Sequence, residues 1–286
     1  MKRKCFALAA GWLLAGGVAF AGRGVSVTLG TWTDRQPFVG SNGATIHFYL
    51  FSPKAAAAGE KLPLVLWLHG GLKSNGRGGP NLPMAAFYRD DHQARHPCFV
   101  LRPVAVQGKN WVSPRGAGTA SHKQPAEPAP SVATLMELLD KTVRAHPIDP
   151  NGLHVTGASM GGYGTWDVIA RYPGRFATAI PICGGGDPGK AAAIQGMKIW
   201  AFHSADDRIV PPRGSREMFA ALLAARDEKP LVKDDDKQTL SSSADGHVRY
   251  TEFKSGGHNA WDRALGDPKV IEWVFSKDKA NENSAR

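Results

Sequence analysis

Apolar positions along this chain follow two rhythms that take turns. Short runs that are apolar throughout, or apolar at every second position, predict strands. Runs with apolar residues three and four apart predict helices. Val25–Trp32 and Ala44–Phe51 alternate, as an antiparallel hairpin or edge pair does. Leu62–Leu68 and Cys98–Val106 are almost wholly apolar, the pattern of strands buried on both faces. Ser131–His146 puts Val132, Leu135, Leu138, Leu139 and Val143 on one helical face. A strand over Gly152–Thr156, a helix over Tyr163–Tyr172 and a strand over Ala177–Cys183 come next. Met197–His203 and His247–Phe253 are further strands, with a helix over Arg213–Ala225 between them and a last helix over Asp267–Phe275. Strands alternate with helices and no internal repeat is visible. The expected architecture is a single α/β domain on a doubly wound, mostly parallel sheet.

Two polar stretches interrupt this rhythm. Gln107–Pro130 is rich in Gly, Pro and Ser and carries Trp111. It follows the carboxyl end of a strand, where ligands of open α/β sheets gather. Asp227–Gly246 contains Asp234–Asp236 and Ser241–Ser243 and precedes a strand. It is expected as a solvated insertion on the opposite edge.

The two ends read differently from the middle. Lys2, Arg3 and Lys4 precede an apolar run from Phe6 to Phe20, and Ala19-Phe20-Ala21 fits a small-x-small cleavage site. Residues 1–21 are therefore expected as a secretory signal, residues 22–275 as the domain, and residues 276–286 as a flexible polar tail. The apolar run is short and broken by Gly11, Gly16 and Gly17, which argues against a membrane anchor. Removal of the signal lowers the net charge from +10 to about +7. Basic and acidic residues are intermixed without a basic stripe, so nucleic acid is not an expected partner. Export to the periplasm or beyond permits a disulfide. However, Cys98 opens one predicted strand and Cys183 closes another, so two buried thiols are expected. Neither has metal-site spacing, and no metal or cofactor is expected.

Chemistry enters at Gly157-Ala158-Ser159-Met160-Gly161-Gly162, a G-x-S-x-G motif between a predicted strand and a predicted helix. A serine hydroxyl is a weak nucleophile, and it needs to stand clear of the backbone and meet a base. In this arrangement the acid and then the histidine follow the serine along the chain. Asp207 and His258 satisfy that order, each on a loop just after a predicted strand, at the same sheet edge as Ser159. Asp206 and Asp187 are the rival acids, and His247 begins a strand rather than ending one. The oxyanion donors expected are the backbone N–H of Met160 and that of Gly71, in His69-Gly70-Gly71-Leu72. Losing one such donor costs about 3 to 4 kcal/mol of transition-state stabilisation. His69 is expected to brace that loop. Trp111 and Trp261 are candidates to line the substrate cleft, as is Trp166, with core packing the alternative for each. Gly184–Ala191 nearly matches a phosphate-binding loop but lacks the final hydroxyl that would hold Mg²⁺.

These stretches resemble a branch of the α/β-hydrolase superfamily. Its members are labelled peptidases or phospholipase/carboxylesterase-like proteins and are related to polyhydroxybutyrate-depolymerase-like and feruloyl-esterase-like enzymes. The likeness runs from about Tyr49 to Phe275 and is strongest in Val155–Pro173, Ile180–Gly186, His203–Pro211 and Gly257–Asp262. It implies Ser159, Asp207 and His258 as the triad. Ser204 departs from the glycine common in relatives, and Asp227–Gly246 is longer than theirs. The expected function is hydrolysis of carboxylic esters through an acyl-enzyme, with short or aromatic acyl groups on carbohydrate or small alcohols. The alternatives are a peptidase of the prolyl-oligopeptidase type, which normally carries an extra access-limiting domain, and an acyltransferase on the same triad. A non-catalytic binding protein on this scaffold would ordinarily lack a triad member, and all three are present here.

Overall fold

Residues 27–54, 59–71, 83–112 and 120–276 are described in a computed structural model. The expected signal over residues 1–21, most of the expected tail and the middle of the Gln107–Pro130 loop lie outside the described residues.

Among the described residues, eleven strands form one sheet. Its centre is β5 (Phe99–Val104), β4 (Leu62–Leu68), β6 (Ile148–Ala158), β7 (Thr178–Ile182), β8 (Lys198–Ser204) and β11 (Val248–Phe253), in that spatial order. Each pairs with its neighbour in parallel. Parallel strands need crossovers, which put helices on both faces and bury the strands on both sides. That is why β4, β5, β7 and β8 are buried almost throughout. One apolar layer packs the sheet against α3 (Pro130–Ala145), α4 (Met160–Arg171) and α5 (Arg213–Ala225). The other packs it against α1 (Ala85–Tyr88), α6 (Trp261–Gly266) and α7 (Pro268–Phe275). Alternation sorts the strands between the layers: Phe99 and Leu101 face one, Val100 and Val104 the other.

The sheet margins carry more strand than expected in two places. The expected antiparallel edge pair is present, but it is not a simple hairpin. Both β1 (Gly30–Trp32) and β2 (Gln36–Val39) pair antiparallel with β3 (Thr45–Pro53), at its two ends. The Asp227–Gly246 stretch is no loose insertion either. It forms β9 (Leu231–Asp234) and β10 (Gln238–Ser242), an antiparallel hairpin that extends the sheet beyond β11. Asp235 closes the turn by accepting from the Lys237 and Gln238 amides. An exposed edge strand has no buried face, so it carries no apolar alternation by which to be recognised. Short α1, α2 (Asp90–Gln93) and α6 also had no periodicity to announce them.

Cys98 and Cys183 are both free and buried, and burial pushes each thiol up to about 12. The glycines of the phosphate-loop look-alike are packing positions. A Cβ on Gly184 would strike the Gly162–Tyr163 backbone, and one on Gly185 would meet the Ala120 carbonyl at 1.9 Å. Among the described residues no helix is long and apolar enough to cross a membrane.

Three histidines are locked into the core in neutral form. Burial is the main cause for each, holding His69 down to about 4 and His92 and His154 down to about 3. The unfolded chain protonates them near 6.5, so between that value and the folded ones the unfolded state binds more protons. Stability is therefore fully present above pH 6.5 and lost as pH falls. The three together predict a loss of about 4 kcal/mol per pH unit between pH 6 and pH 4.5. Urea unfolding across that window measures it; a flat profile would mean these rings are solvated in the folded protein.

Candidate active site

The parallel register brings the carboxyl ends of β4, β6, β8 and β11 to one edge, and each is followed by a short segment of polar chemistry. Ser159 sits between β6 and α4 with φ 58° and ψ −118°, a strained turn for a residue with a side chain. That turn is held because its amide donates to the Ile182 carbonyl and its own carbonyl accepts from Tyr163. The close approach of α4 to the sheet explains the flanking glycine. A Cβ on Gly161 would lie 1.9 Å from the Leu68 carbonyl oxygen.

His258 lies on the loop between β11 and α6. Gly256 and Gly257 carry φ of 126° and 60°, values that favour glycine, and so let the chain turn sharply before it. Their amides donate to the Asp206 carboxylate at 3.2 and 2.8 Å. Asp206 and Asp207 therefore divide the work: the first pins the histidine loop from outside, and the second turns inward. His258 Nε2 stands 2.9 Å from Ser159 Oγ, and His258 Nδ1 stands 2.7 Å from Asp207 Oδ2. One unbroken chain runs from hydroxyl to imidazole to carboxylate. Asp207 Oδ1 accepts from the Ile209 and Val210 amides at 2.8 and 3.0 Å. Burial by itself raises this carboxyl group, but the His203 and His258 rings and the two amides outweigh it and hold Asp207 well below the usual carboxylate range.

The rival residues have other occupations. Asp187 caps the 3₁₀ turn Pro188–Ile194 and accepts from the Gln124 and Gly189 amides. His247 precedes β11, beside Asp245, at the opposite edge of the sheet. Ser204, the residue unlike the relatives' glycine, is fully buried and accepts from Arg263 Nη2 at 3.1 Å. It ties the acid's turn to α6, whose Arg263 also stacks on Phe253.

The His69–Gly71 segment runs beside the serine: a Cβ on Gly70 would lie 3.6 Å from Ser159 Cβ. Gly71 is exposed and Met160 half-buried at the start of α4. His69 braces this segment. Its Nδ1 donates to the Gly70 carbonyl at 2.7 Å, and its Nε2 accepts from the Ala105 amide at 3.1 Å. Trp111 does not line a cleft. Its ring is fully buried, packs edge-on against His69 and donates from Nε1 to the His69 carbonyl at 3.0 Å. Trp166 is buried likewise. Trp261 is half-buried, with its ring perpendicular to His258 at 5.4 Å. Behind it lies a cavity of about 250 Å³ between α1–α2 and α6–α7, flanked by Arg89, His92 and Arg95.

Sequence reasoning missed two neighbours of Asp207. Cys183, His203 and Asp207 bring ligand-type atoms within 4.8 Å of one another, a cluster that could formally hold a metal ion. Both His203 nitrogens and both Asp207 oxygens are already engaged within the protein, so the donor set does not fit that use. His203 ends a predicted strand, and nothing in that pattern announces its inward contact.

Fold and site geometry define an α/β hydrolase. Residues 40–261 match the Esterase family model, and the chain belongs to that family. It is 28% identical over 159 residues to poly(3-hydroxyalkanoate) depolymerase C of Paucimonas lemoignei, a match over 51% of this chain and 33% of that protein. The solved structure of a thermostable esterase superposes with a TM-score of 0.68 at 31% identity, over 84% of this chain and 62% of the other. Thus the chain spans about a third of the curated relative and less than two thirds of that esterase. Acetyl xylan esterase from Aspergillus awamori superposes over 84% of this chain and 100% of its own, with TM-score 0.62. At 15% identity that likeness concerns the fold.

The elbow's tightness is testable without any substrate. Gly161→Ala forces a methyl into the Leu68 carbonyl, which cannot retreat without breaking the β4–β6 pairing. We expect a loss of about 3 kcal/mol in urea unfolding. Gly196, whose Cβ would meet nothing within 4 Å, is the control; Gly196→Ala should stay within about 0.5 kcal/mol. Equal effects would contradict the close approach.

Proposed function

We propose that this protein is a serine carboxylesterase. The observation that carries the reading is the continuous Ser159–His258–Asp207 chain at 2.9 and 2.7 Å. His258 Nε2 accepts the Ser159 proton as Oγ attacks the ester carbonyl carbon. Asp207, ionised and fixed by two amides, orients His258 and stabilises the imidazolium that forms. The tetrahedral oxyanion is received by the backbone N–H groups of Met160 and Gly71. His258 then gives its proton to the departing alcohol, which leaves an acyl group on Ser159. Water, deprotonated by the same imidazole, releases the acid and restores the hydroxyl. Every step is proton transfer and acyl transfer, and none of them calls on a metal or cofactor.

The substrate class we infer is a small-molecule or carbohydrate ester with a short or aromatic acyl group. Trp261, beside His258, supplies an aromatic wall for it. Membership of the Esterase family supports ester over amide chemistry. The basic–apolar–small pattern of residues 1–21 supports export before residues 22–275 act.

Purified protein assayed with p-nitrophenyl acetate, p-nitrophenyl octanoate and a proline p-nitroanilide tests this reading. Ester turnover should fall by about 10⁴-fold or more in Ser159→Ala, with the anilide inert throughout. Ester turnover that survives in Ser159→Ala would overturn the nucleophile, and anilide turnover dependent on Ser159 would replace the esterase by a peptidase. The two neighbouring acids should separate in the same assay. Asp207→Asn is expected to lose about 10⁴-fold in kcat. Asp206→Ala, which only loosens the histidine loop, should lose about tenfold or less. The reverse order would exchange their roles.

A further inference from the structure

His203 is fully buried at the end of β8, and the ester mechanism gives it no step. Its surroundings are nonetheless specific. Nε2 faces two groups that can only accept, the Val210 carbonyl at 3.0 Å and Asp207 Oδ2 at 3.3 Å. That nitrogen is therefore a donor. Nδ1 stands 2.8 Å from Ser215 Oγ in α5, and the same Oγ stands 2.8 Å from the Gly184 carbonyl. The imidazole is thus anchored to α5 on one side and to the loop after β7 through it. On its other side it reaches the same carboxylate oxygen that receives His258 Nδ1.

Asp207 consequently has three hydrogen-bond donors around two oxygens, the Ile209 and Val210 amides on Oδ1 and His258 on Oδ2, with His203 Nε2 packed 3.3 Å from Oδ2 as a fourth polar neighbour. A carboxylate offers about four lone-pair sites. The two amides fix where Oδ1 lies but leave the carboxylate free to swing about that end. His203 closes the remaining freedom, because it blocks rotation of Oδ2 away from His258. We propose that His203 is a positioning residue for the proposed reaction, holding Asp207 Oδ2 in line with His258 Nδ1 from behind. It touches neither substrate nor reacting atoms, and it acts only through Asp207. This inference rests on the esterase reading of Ser159, Asp207 and His258.

The test compares His203→Leu, which fills the space without a donor, with His203→Gln, which keeps an N–H near the Nε2 position. Turnover of p-nitrophenyl acetate is measured per folded molecule, with circular dichroism and melting as the check on folding. Misplacement of a catalytic group by about 1 Å costs roughly 100-fold. His203→Leu should therefore lose about 100-fold in kcat at nearly unchanged KM, and His203→Gln should recover most of it. A purely structural role predicts equal kcat per folded molecule in both variants, and that result overturns the proposal. Should His203→Leu fail to fold, Ser215→Ala releases the ring from its other anchor. A fall in kcat of roughly fivefold at unchanged KM supports the role, and an unchanged kcat overturns it. Ser159→Ala run alongside separates the two ideas. Turnover surviving there means that the site reading has failed and takes this inference with it. An inactive Ser159→Ala beside a fully active His203→Leu means that only the role of His203 has failed.

Discussion

The site depends on one constraint: the parallel pairing of β6, β7, β8 and β11. Ser159, Asp207 and His258 come from three separate loops, and only a shared strand direction delivers all three to one edge. Register then sets the spacing. Ala158 pairs with Ile182 and Ser204 pairs with Phe253, so the serine, acid and histidine loops leave the sheet at matched heights. A shift of one residue in any of these pairs would turn every side chain of a strand to the other face and break the chain of hydrogen bonds. The bulky apolar layers on both faces are what prevent such a shift.

Backbone contact supplies the second level of precision. The serine's strained φ is over-determined by the Ile182 carbonyl before it and by helix α4 after it. Glycine at position 161 lets the helix lie directly on the end of β4. The His69–Gly71 segment is fixed from the other direction, through His69. Burial keeps that ring neutral, which leaves Nε2 free to accept from Ala105 while Nδ1 donates to Gly70. Trp111 completes the brace from below. A cationic His69 would lose the Ala105 contact, so the neutral state is part of the geometry.

Charge is distributed with the same economy. Asp207 is a buried anion with both oxygens hydrogen-bonded, and such an anion is tolerable only when it is so paired. Asp206, one residue earlier, is exposed and spends its charge on two loop amides. The turn after β8, in which the Asp207 amide donates to the Ser204 carbonyl, sends the two adjacent side chains to different groups. His203 and Ser215 extend the ordering of Asp207 outward into α5, and Ser204 with Arg263 ties the same turn to α6.

Much of this was legible in the chain itself. The buried strands over Leu62–Leu68 and Cys98–Val106, the helix over Ser131–His146 and the order Ser159, Asp207, His258 could all be read without coordinates. Burial on both faces writes a continuous apolar run, and an elbow writes its glycines. What escaped was whatever had no such imprint. Strand β9 is exposed throughout and β10 only half-buried, and the short helices α1, α2 and α6 span too few turns for a period. Trp111 could have lined a cleft or filled the core, and its composition is the same in either case; only packing against His69 decided it. The partition of Asp206 and Asp207, and the presence of His203 behind the acid, were likewise decided in three dimensions. Local pattern records whether a residue faces water or core. It does not record which distant residue it meets there, because that contact is made by strands that pair across the sheet rather than along the chain.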